Sequence, residues 1–181
     1  MSIRIITFGQ SKGAFSSVQT LEEQYIQRVS PWLGIECTVL KGEKVTNSVP
    51  AAVALDREAE SLYPYLKNAQ QVAVLSEKGK PLSSEAFTQQ LAQRLNWPAR
   101  HVSSSPSNNP NRSKKGGGNT SPDTMIWVIG SAYGLSPKVL NQADWVVSLS
   151  AMTYPHDMVR LMLLEQVFRA YKILKNEPYH K

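Results

Sequence analysis

Two clusters of small and polar residues stand at the ends of short apolar runs in the C-terminal third of the sequence. The run Met125-Ile126-Trp127-Val128-Ile129 stops at Gly130-Ser131-Ala132-Tyr133-Gly134, and Trp145-Val146-Val147-Ser148-Leu149 stops at Ser150-Ala151-Met152-Thr153-Tyr154-Pro155-His156. A third run, Gln71-Val72-Ala73-Val74-Leu75, breaks into Ser76-Glu77-Lys78-Gly79-Lys80-Pro81. Gly130 and Gly134 permit positive φ and close approach of a ligand to the backbone. Backbone amides and carbonyls in such loops can read the edge of an adenine ring, while Leu and Met side chains sandwich it. The same glycines can equally do no more than make a tight turn, and the pattern alone leaves both readings open.

Other chemistries find less support. Gly9-Gln10-Ser11-Lys12-Gly13 follows an apolar run but lacks the G-x-G-x-x-G spacing of a dinucleotide fingerprint, and neither a P-loop nor a G-x-S-x-G elbow occurs. His101, His156 and His180 show no helical pairing and no cysteine company, so no metal site is assigned. His156 follows Pro155 at the start of the last helical stretch and reads as a capping and packing residue before a catalytic one. The single Cys37 excludes an internal disulfide. Its setting, Ile35-Glu36-Cys37-Thr38-Val39-Leu40, favours a buried structural thiol over a nucleophile. A net charge of +6 favours a polyanionic partner, because Lys and Arg contacts to phosphates release counterions.

The elements that must position these residues alternate in type. Residues 3–8, 35–40, 71–75, 125–129 and 145–149 read as strands. Continuous apolar runs of that length suit a parallel sheet covered on both faces. Between them, residues 15–30 carry Phe15, Val18, Leu21, Tyr25 and Val29 at helical spacing, with Pro31 as the stop. Residues 41–48 read as a mobile loop. Residues 51–68 offer Val53, Leu55, Ala59, Leu62 and Leu66, with Pro64 expected to kink or shorten the helix. Ser83 or Ser84 caps a helix over 85–96, and Ser136 followed by Pro137 opens a short one. The last helix spans 157–174, with Leu161, Leu164, Phe168, Tyr171 and Leu174 on one stripe. Val159, Met162, Val167 and Ala170 lie largely elsewhere on it, and a helix apolar nearly all round is buried on two sides. A homodimer is expected on that ground.

This order predicts one α/β domain over residues 1–181, a three-layer sandwich with a mostly parallel sheet. Residues 103–122 contain no large apolar side chain and read as a flexible insertion. Arg112, Lys114 and Lys115 within it can touch RNA, although a solvated insertion is the preferred reading. No window approaches the about 18 to 20 apolar residues that span a bilayer. The first residues lack the features of a signal peptide, so a cytoplasmic protein is expected.

Taken together, Ile129-Gly130 with Gly134-Leu135-Ser136-Pro137, the stretch from Ser148 through His156 to Val159-Arg160, and the terminal Pro178-Tyr179-His180 resemble the RlmH family. These are the ribosomal large subunit pseudouridine N3-methyltransferases of the SPOUT superfamily. The resemblance extends to Gly79-Lys80-Pro81 and to the opening 3–9, and so covers most of the chain. It implies a C-terminal trefoil knot, an S-adenosylmethionine (SAM) site built from the knot loops, and a homodimer that completes the RNA site. It implies cofactor contacts at Leu75, Gly130, Leu149, Ser150, Ala151, Met152, Thr153 and Tyr154. Tyr179 and His180 match the segment near methyl transfer, with His180 the candidate for hydrogen bonding at the acceptor. Arg160 and Lys181 are candidates for RNA or interface anchoring. The implied reaction is direct SN2 transfer of the SAM methyl to N3 of a pseudouridine in large-subunit ribosomal RNA, within the assembled ribosome. That step needs in-line placement and either a base or stabilisation of the anionic ring.

Three departures from the family pattern stand out. Ser131, Ala132 and Tyr133 occupy positions where a second glycine and an acidic residue are usual. Lys181 replaces a common Arg and loses its planar fork. The 103–122 stretch looks like an insertion. The altered loop keeps open an alternative from another class, a non-catalytic RNA- or ribosome-binding module that retains the fold.

Overall fold

The computed structural model describes residues 2–9, 16–67, 69–97 and 124–179. The expectations for the turn at 10–13, for Phe15, for the 103–122 stretch, and for His180 and Lys181 fall outside those residues.

Five strands alternate with five helices: β1 (Ser2–Phe8), α1 (Ser16–Val29), β2 (Gly34–Leu40), α2 (Ala51–Leu66), β3 (Gln71–Pro81), α3 (Ser84–Leu95), β4 (Thr124–Ile129), α4 (Pro137–Gln142), β5 (Trp145–Ser148) and α5 (His156–Leu174). The strands form one sheet in the order β2-β1-β4-β3-β5. All pairings are parallel. Successive side chains of a strand face opposite ways, and this splits the apolar runs between two cores. Ile3, Ile5, Ala73, Met125, Trp127, Trp145 and Val147 pack on one face with residues of α1, α3 and α5. Ile6, Phe8, Val72, Val74, Ile126 and Val128 pack on the other with α2 and α4. The expected three-layer α/β architecture is thus present.

Caps follow the sequence closely. The Ser83 hydroxyl accepts from the Ala86 amide at 3.2 Å and opens α3. The Ser136 hydroxyl accepts from Lys138 N–H at 3.1 Å and opens α4, with Pro137 as first residue. Pro64 does not shorten α2 drastically; the helix continues two residues beyond it, to Leu66. A proline so near the C-terminus forfeits only one hydrogen bond of the last turn. Strand β3 runs past Leu75 to Pro81 where a loop was expected. Leu75 and Lys80 are both paired with Val147, so the residues between them bulge out of the ladder.

Two helix faces differ from the periodicity. On α1, Val18 and Val29 of the expected stripe are buried, but Leu21 is 43 % exposed and Glu22 is buried instead. Glu22 turns inward because Arg160 of α5 waits there. On α5 the buried set is Arg160, Leu163, Leu164, Val167, Phe168, Ala170 and Tyr171, with Leu161 and Leu174 only half-buried. This helix packs against both α1 and α3. Val167 and Ala170 are therefore covered within the chain itself, leaving Val159, Leu161 and Met162 half-buried.

Cys37 is also corrected. Its strand β2 is an outer strand of the sheet, and the residue is exposed. It is no better as a nucleophile for that. Desolvation by neighbouring side chains pushes the thiol up to about 11, with Arg160 opposing and Glu22 and Glu36 adding to the rise.

Candidate functional site: a cleft at the carboxyl ends of three strands

The strand order places β4, β3 and β5 side by side, so the loops that leave them open onto one cleft of ≈ 340 Å³. Its apolar wall includes Leu75, Ile129, Leu135, Leu140, Leu149 and Val159. The bulge after Leu75 brings Ser76, Glu77 and Lys78 to the rim. The residues 130–134 and 148–154, together with His156, supply the rest, except Ala151, which is exposed and does not line the cleft. Of the predicted contacts, Leu75, Gly130, Leu149, Ser150, Met152, Thr153 and Tyr154 meet here.

Each loop is held by its own backbone. Gly134 N–H donates to the Ser131 carbonyl at 2.9 Å, closing a tight turn. A Cβ on Gly130 would lie 2.3 Å from the Gly134 oxygen and 2.6 Å from its carbonyl carbon, so this turn closes directly on Gly130. Positive φ belongs to Gly134, at 87°, and not to Gly130. A side chain at Gly130 would thus meet the turn's own backbone before any ligand. The expected mechanism, a side chain filling ligand space, is replaced by one in which the wall itself must move. After β5, the Ser148 hydroxyl donates to the Ser150 carbonyl at 2.9 Å and the Ser150 hydroxyl accepts from Met152 N–H at 3.0 Å. These bonds turn Met152, 70 % exposed, and Tyr154 outward at the cleft mouth.

The remaining predicted residues lie elsewhere. Arg160 is 6 % exposed, and its guanidinium makes a bidentate pair with Glu22 at 2.7 and 2.6 Å. A weaker contact at 3.5 Å reaches the Thr7 hydroxyl. Its charge is committed within its own chain, binding the start of α5 to α1 and β1, and is not presented to RNA or to another subunit. Tyr179 is not among the cleft-lining residues. Its hydroxyl donates to Glu165 at 3.3 Å, and its ring meets Phe168 edge-on at 4.9 Å with Arg169 5.1 Å away. Burial, with Tyr25 and Glu165 beside it, pushes the Tyr179 phenol up to about 12. Glu165 and Phe168 lie about two to three helical turns along α5 from the cleft-lining His156 and Val159. Within one chain, then, Tyr179 does not reach the cleft. His156 begins α5 without a capping hydrogen bond. Its Nε2 comes within 3.0 Å of where a Cβ on Gly9 would stand, a place left free because Gly9 has none, and φ of +142° there would strain any side chain.

The cleft's chemistry suits a nucleoside carrying a polar, charged arm. An apolar slot takes a planar ring, loop amides and carbonyls read its edge, and Glu77 and Lys78 offer one charge of each sign at the rim. Ser131 Oγ is buried with no hydrogen-bond partner among the described residues, a vacancy that a polar ligand atom would fill. No group of three or more His, Cys, Asp or Glu able to hold a metal ion occurs among the described residues.

A parallel α/β sheet with its cleft outside adjacent carboxyl ends has the architecture in which open α/β domains bind their ligands. The family model described as "Predicted SPOUT methyltransferase" matches residues 1–103 and 112–180. The chain belongs to this SPOUT methyltransferase family. It is 33% identical over 181 residues to the ribosomal RNA large subunit methyltransferase H of Desulfotalea psychrophila, covering 100% of both chains. Against the proteins of the same name from Christiangramia forsetii and Flavobacterium johnsoniae the identities are 31% and 30%, each over 99% of both chains. Among solved structures, a probable methylase family protein from Haemophilus influenzae Rd KW20 aligns with TM-score 0.51 at 11% identity, covering 99% of this chain and 70% of that one. A probable methyltransferase from Bordetella pertussis aligns with TM-score 0.51 at 10% identity, covering 93% of each. These two likenesses bear on the fold.

Proposed function

We infer that this chain is a SAM-dependent methyltransferase that modifies N3 of a pseudouridine in large-subunit ribosomal RNA. The observation that carries the reading is the cleft at the ends of β3, β4 and β5, in which seven of the eight residues proposed to touch the cofactor come together. SAM, when bound, supplies an electrophilic methyl group. Leu75, Ile129, Leu135 and Leu149 hold an adenine ring away from water, and the loop amides of 130–134 and 149–154 fix its orientation. Ser131 Oγ offers its unfilled hydrogen bond to the polar part of the ligand. Tyr133 and His156 line both this cleft and the neighbouring one that reaches β1, and on this reading the acceptor base comes from that side for in-line attack.

Deprotonation of the acceptor nitrogen needs a base or a stabiliser of the anionic ring; the titratable side chains lining one cleft are Glu77, Lys78, Tyr133, Tyr154 and His156, and the resemblance adds His180. Tyr179 docks two to three turns away along α5. We propose that the chain works as a homodimer in which the C-terminal tail of one copy completes the cleft of the other, with His180 beside the acceptor and Lys181 toward RNA. The exposed Leu21 and Val39 and the half-buried Val159, Leu161 and Met162 supply apolar surface for such an association. The trefoil knot and a cytoplasmic setting on assembled ribosomes belong to the same proposal. No helix among the described residues is long and apolar enough to cross a membrane.

Calorimetric titration with S-adenosylhomocysteine, light scattering, and mass spectrometry of ribosomal RNA treated with enzyme and SAM together test the reading. Binding, a dimer mass and one added methyl on a pseudouridine are expected. Absent ligand binding at millimolar concentration would favour the non-catalytic RNA-binding alternative, whose support is the Ser131-Ala132-Tyr133 loop. A monomer at micromolar concentration would remove the composite site.

A further inference from the structure

A second cleft, of ≈ 840 Å³, lies at the carboxyl ends of β1 and β2. It shares a wall with the first, since Ser131, Ala132, Tyr133 and His156 line both. Its far side is the segment after β2, which carries Lys41 and Lys44, with Arg57 of α2 beside it. That segment was expected to be a mobile loop, yet it is tied down. Gly9 N–H donates to the Leu40 carbonyl at 3.1 Å, and Glu43 N–H donates to Glu58 Oε1 at 2.9 Å. Thr46 and Val49 exchange backbone hydrogen bonds of 3.1 Å each. Glu58 is 3 % exposed, so the anchor is a buried carboxylate on α2.

The charge balance of the described residues lining this cleft is positive. Glu43 is the acidic residue in the lining, and it lies 3.6 Å from Arg57. Lys41 and Lys44 are exposed and have no hydrogen bond or ion pair among the described residues. Two exposed ammonium groups with no ion-pair partner among the described residues, carried on an anchored segment, offer a site for anions. Tyr133, 53 % exposed on the shared wall, presents an aromatic face to whatever passes from one cleft to the other. Basic side chains along a groove with an exposed aromatic at its end are what a single strand requires, phosphates for the charges and a base for the ring.

We propose that the second cleft holds the phosphate backbone of a single-stranded RNA segment on Lys41 and Lys44, with the acceptor nucleotide crossing the 131–133 wall beside Tyr133 into the first cleft. This rests on the methyltransferase reading and extends it by assigning the substrate path to a groove of this chain. It also gives the Ser131-Ala132-Tyr133 departure a use, because a bulky aromatic there serves as a stacking platform at the crossing point.

The test uses the full chain and a short single-stranded oligouridylate, with affinity measured by fluorescence anisotropy at a series of salt concentrations. The double variant Lys41→Ala/Lys44→Ala should bind at least about tenfold more weakly at low salt, with a log–log salt slope shallower by about 1.4, since each single-strand phosphate contact contributes about 0.7. Lys41→Arg/Lys44→Arg should restore both. A control, Lys67→Ala/Arg94→Ala, removes the same charge at the C-terminal ends of α2 and α3, which the parallel crossovers put at the opposite edge of the sheet. It should leave the slope unchanged. An unaltered slope in the first variant, or an equal loss in the control, overturns the assignment, and so does a wild-type chain that does not bind the oligonucleotide. S-adenosylhomocysteine binding, measured in parallel, should be equal in all these proteins. Its absence from the wild type would sink the methyltransferase reading, while the salt slopes would still decide the groove.

Discussion

Replacing Gly130 by alanine probes how the proposed cofactor cleft is built. The new Cβ would stand 2.3 Å from the Gly134 carbonyl oxygen, 2.6 Å from its carbon and 3.0 Å from Leu135 Cγ. The first two are backbone atoms, so no rotamer change relieves them, and the turn must recede by about 1 Å to regain ordinary contact. Overpacking on this scale costs about 1 to 3 kcal/mol. For a chain of this length that corresponds to a fall in Tm of about 3 to 10 °C. The receding turn is also the wall of the cleft, so S-adenosylhomocysteine affinity should drop by about tenfold or more, a loss of about 1.4 kcal/mol. Gly134→Ala is the companion. Nothing lies within 4 Å of a Cβ there, but φ of +87° strains any side chain, at about 1 to 2 kcal/mol. Its Tm should fall while the affinity stays within about threefold, since no wall is displaced. Calorimetry of melting and of ligand binding on the same two purified variants separates these outcomes. A Gly130→Ala protein with lowered Tm and native affinity would refute the placement of the ligand against this turn. One with native Tm would refute the steric reasoning.

Other expectations follow from the same geometry. Arg160→Ala leaves Glu22 buried without its partner and should cost about 3 to 5 kcal/mol in denaturant unfolding; a loss below about 1 kcal/mol would mean that water reaches the pair. Cys37, raised from 9.0 to about 11, should react with iodoacetamide at pH 8 about tenfold or more slowly than a free thiol. Because the fold favours its neutral form, that contribution is present below pH 9 and lost as pH rises through about 11, so labelling should accelerate across the same window. Tyr179 is raised from 10.0 to about 12, so the docked tail is favoured below pH 10 and loses this support as pH rises toward 12. Phenolate absorbance of the wild type against Tyr179→Phe should show this late titration, and the substitution itself should cost no more than about 1 kcal/mol.

The strands of the central sheet were legible because parallel strands covered on both faces read as unbroken apolar runs. The two serine caps were legible because a hydroxyl at that position satisfies an amide that the helix leaves free. The cleft was legible for a topological reason, since Gly130 and Leu149 sit at strand ends and such ends gather ligands. What sequence periodicity could not show was pairing across long distances. Nothing in the spacing of α1 marks Glu22 as an inward residue, because its reason for being there is Arg160. Nor did the polar composition of 41–48 reveal an ordered segment, since its anchor is the buried carboxylate of Glu58 on another element. The extension of β3 was hidden because Glu77, Lys78, Gly79 and Lys80 look like a loop and are held by backbone pairing to β5. Tyr179 was expected near the chemistry on the strength of resemblance, and its docking on Phe168 and Glu165 keeps it out of the cleft of its own chain.

The position of β4 has a consequence for synthesis. It lies between β1 and β3, both of which leave the ribosome before it. Until it arrives, Ile5, Ile6 and Val74 border an unfilled slot in the middle of the sheet, and two strands expose unpaired edges toward each other. Glu22 waits in the same way for Arg160, which is made 138 residues later. At about 5 to 20 residues per second that delay is roughly seven to thirty seconds. The time for which the nascent chain offers open edges to neighbours or chaperones is therefore set by the pace of translation rather than by the speed at which its own residues can collapse.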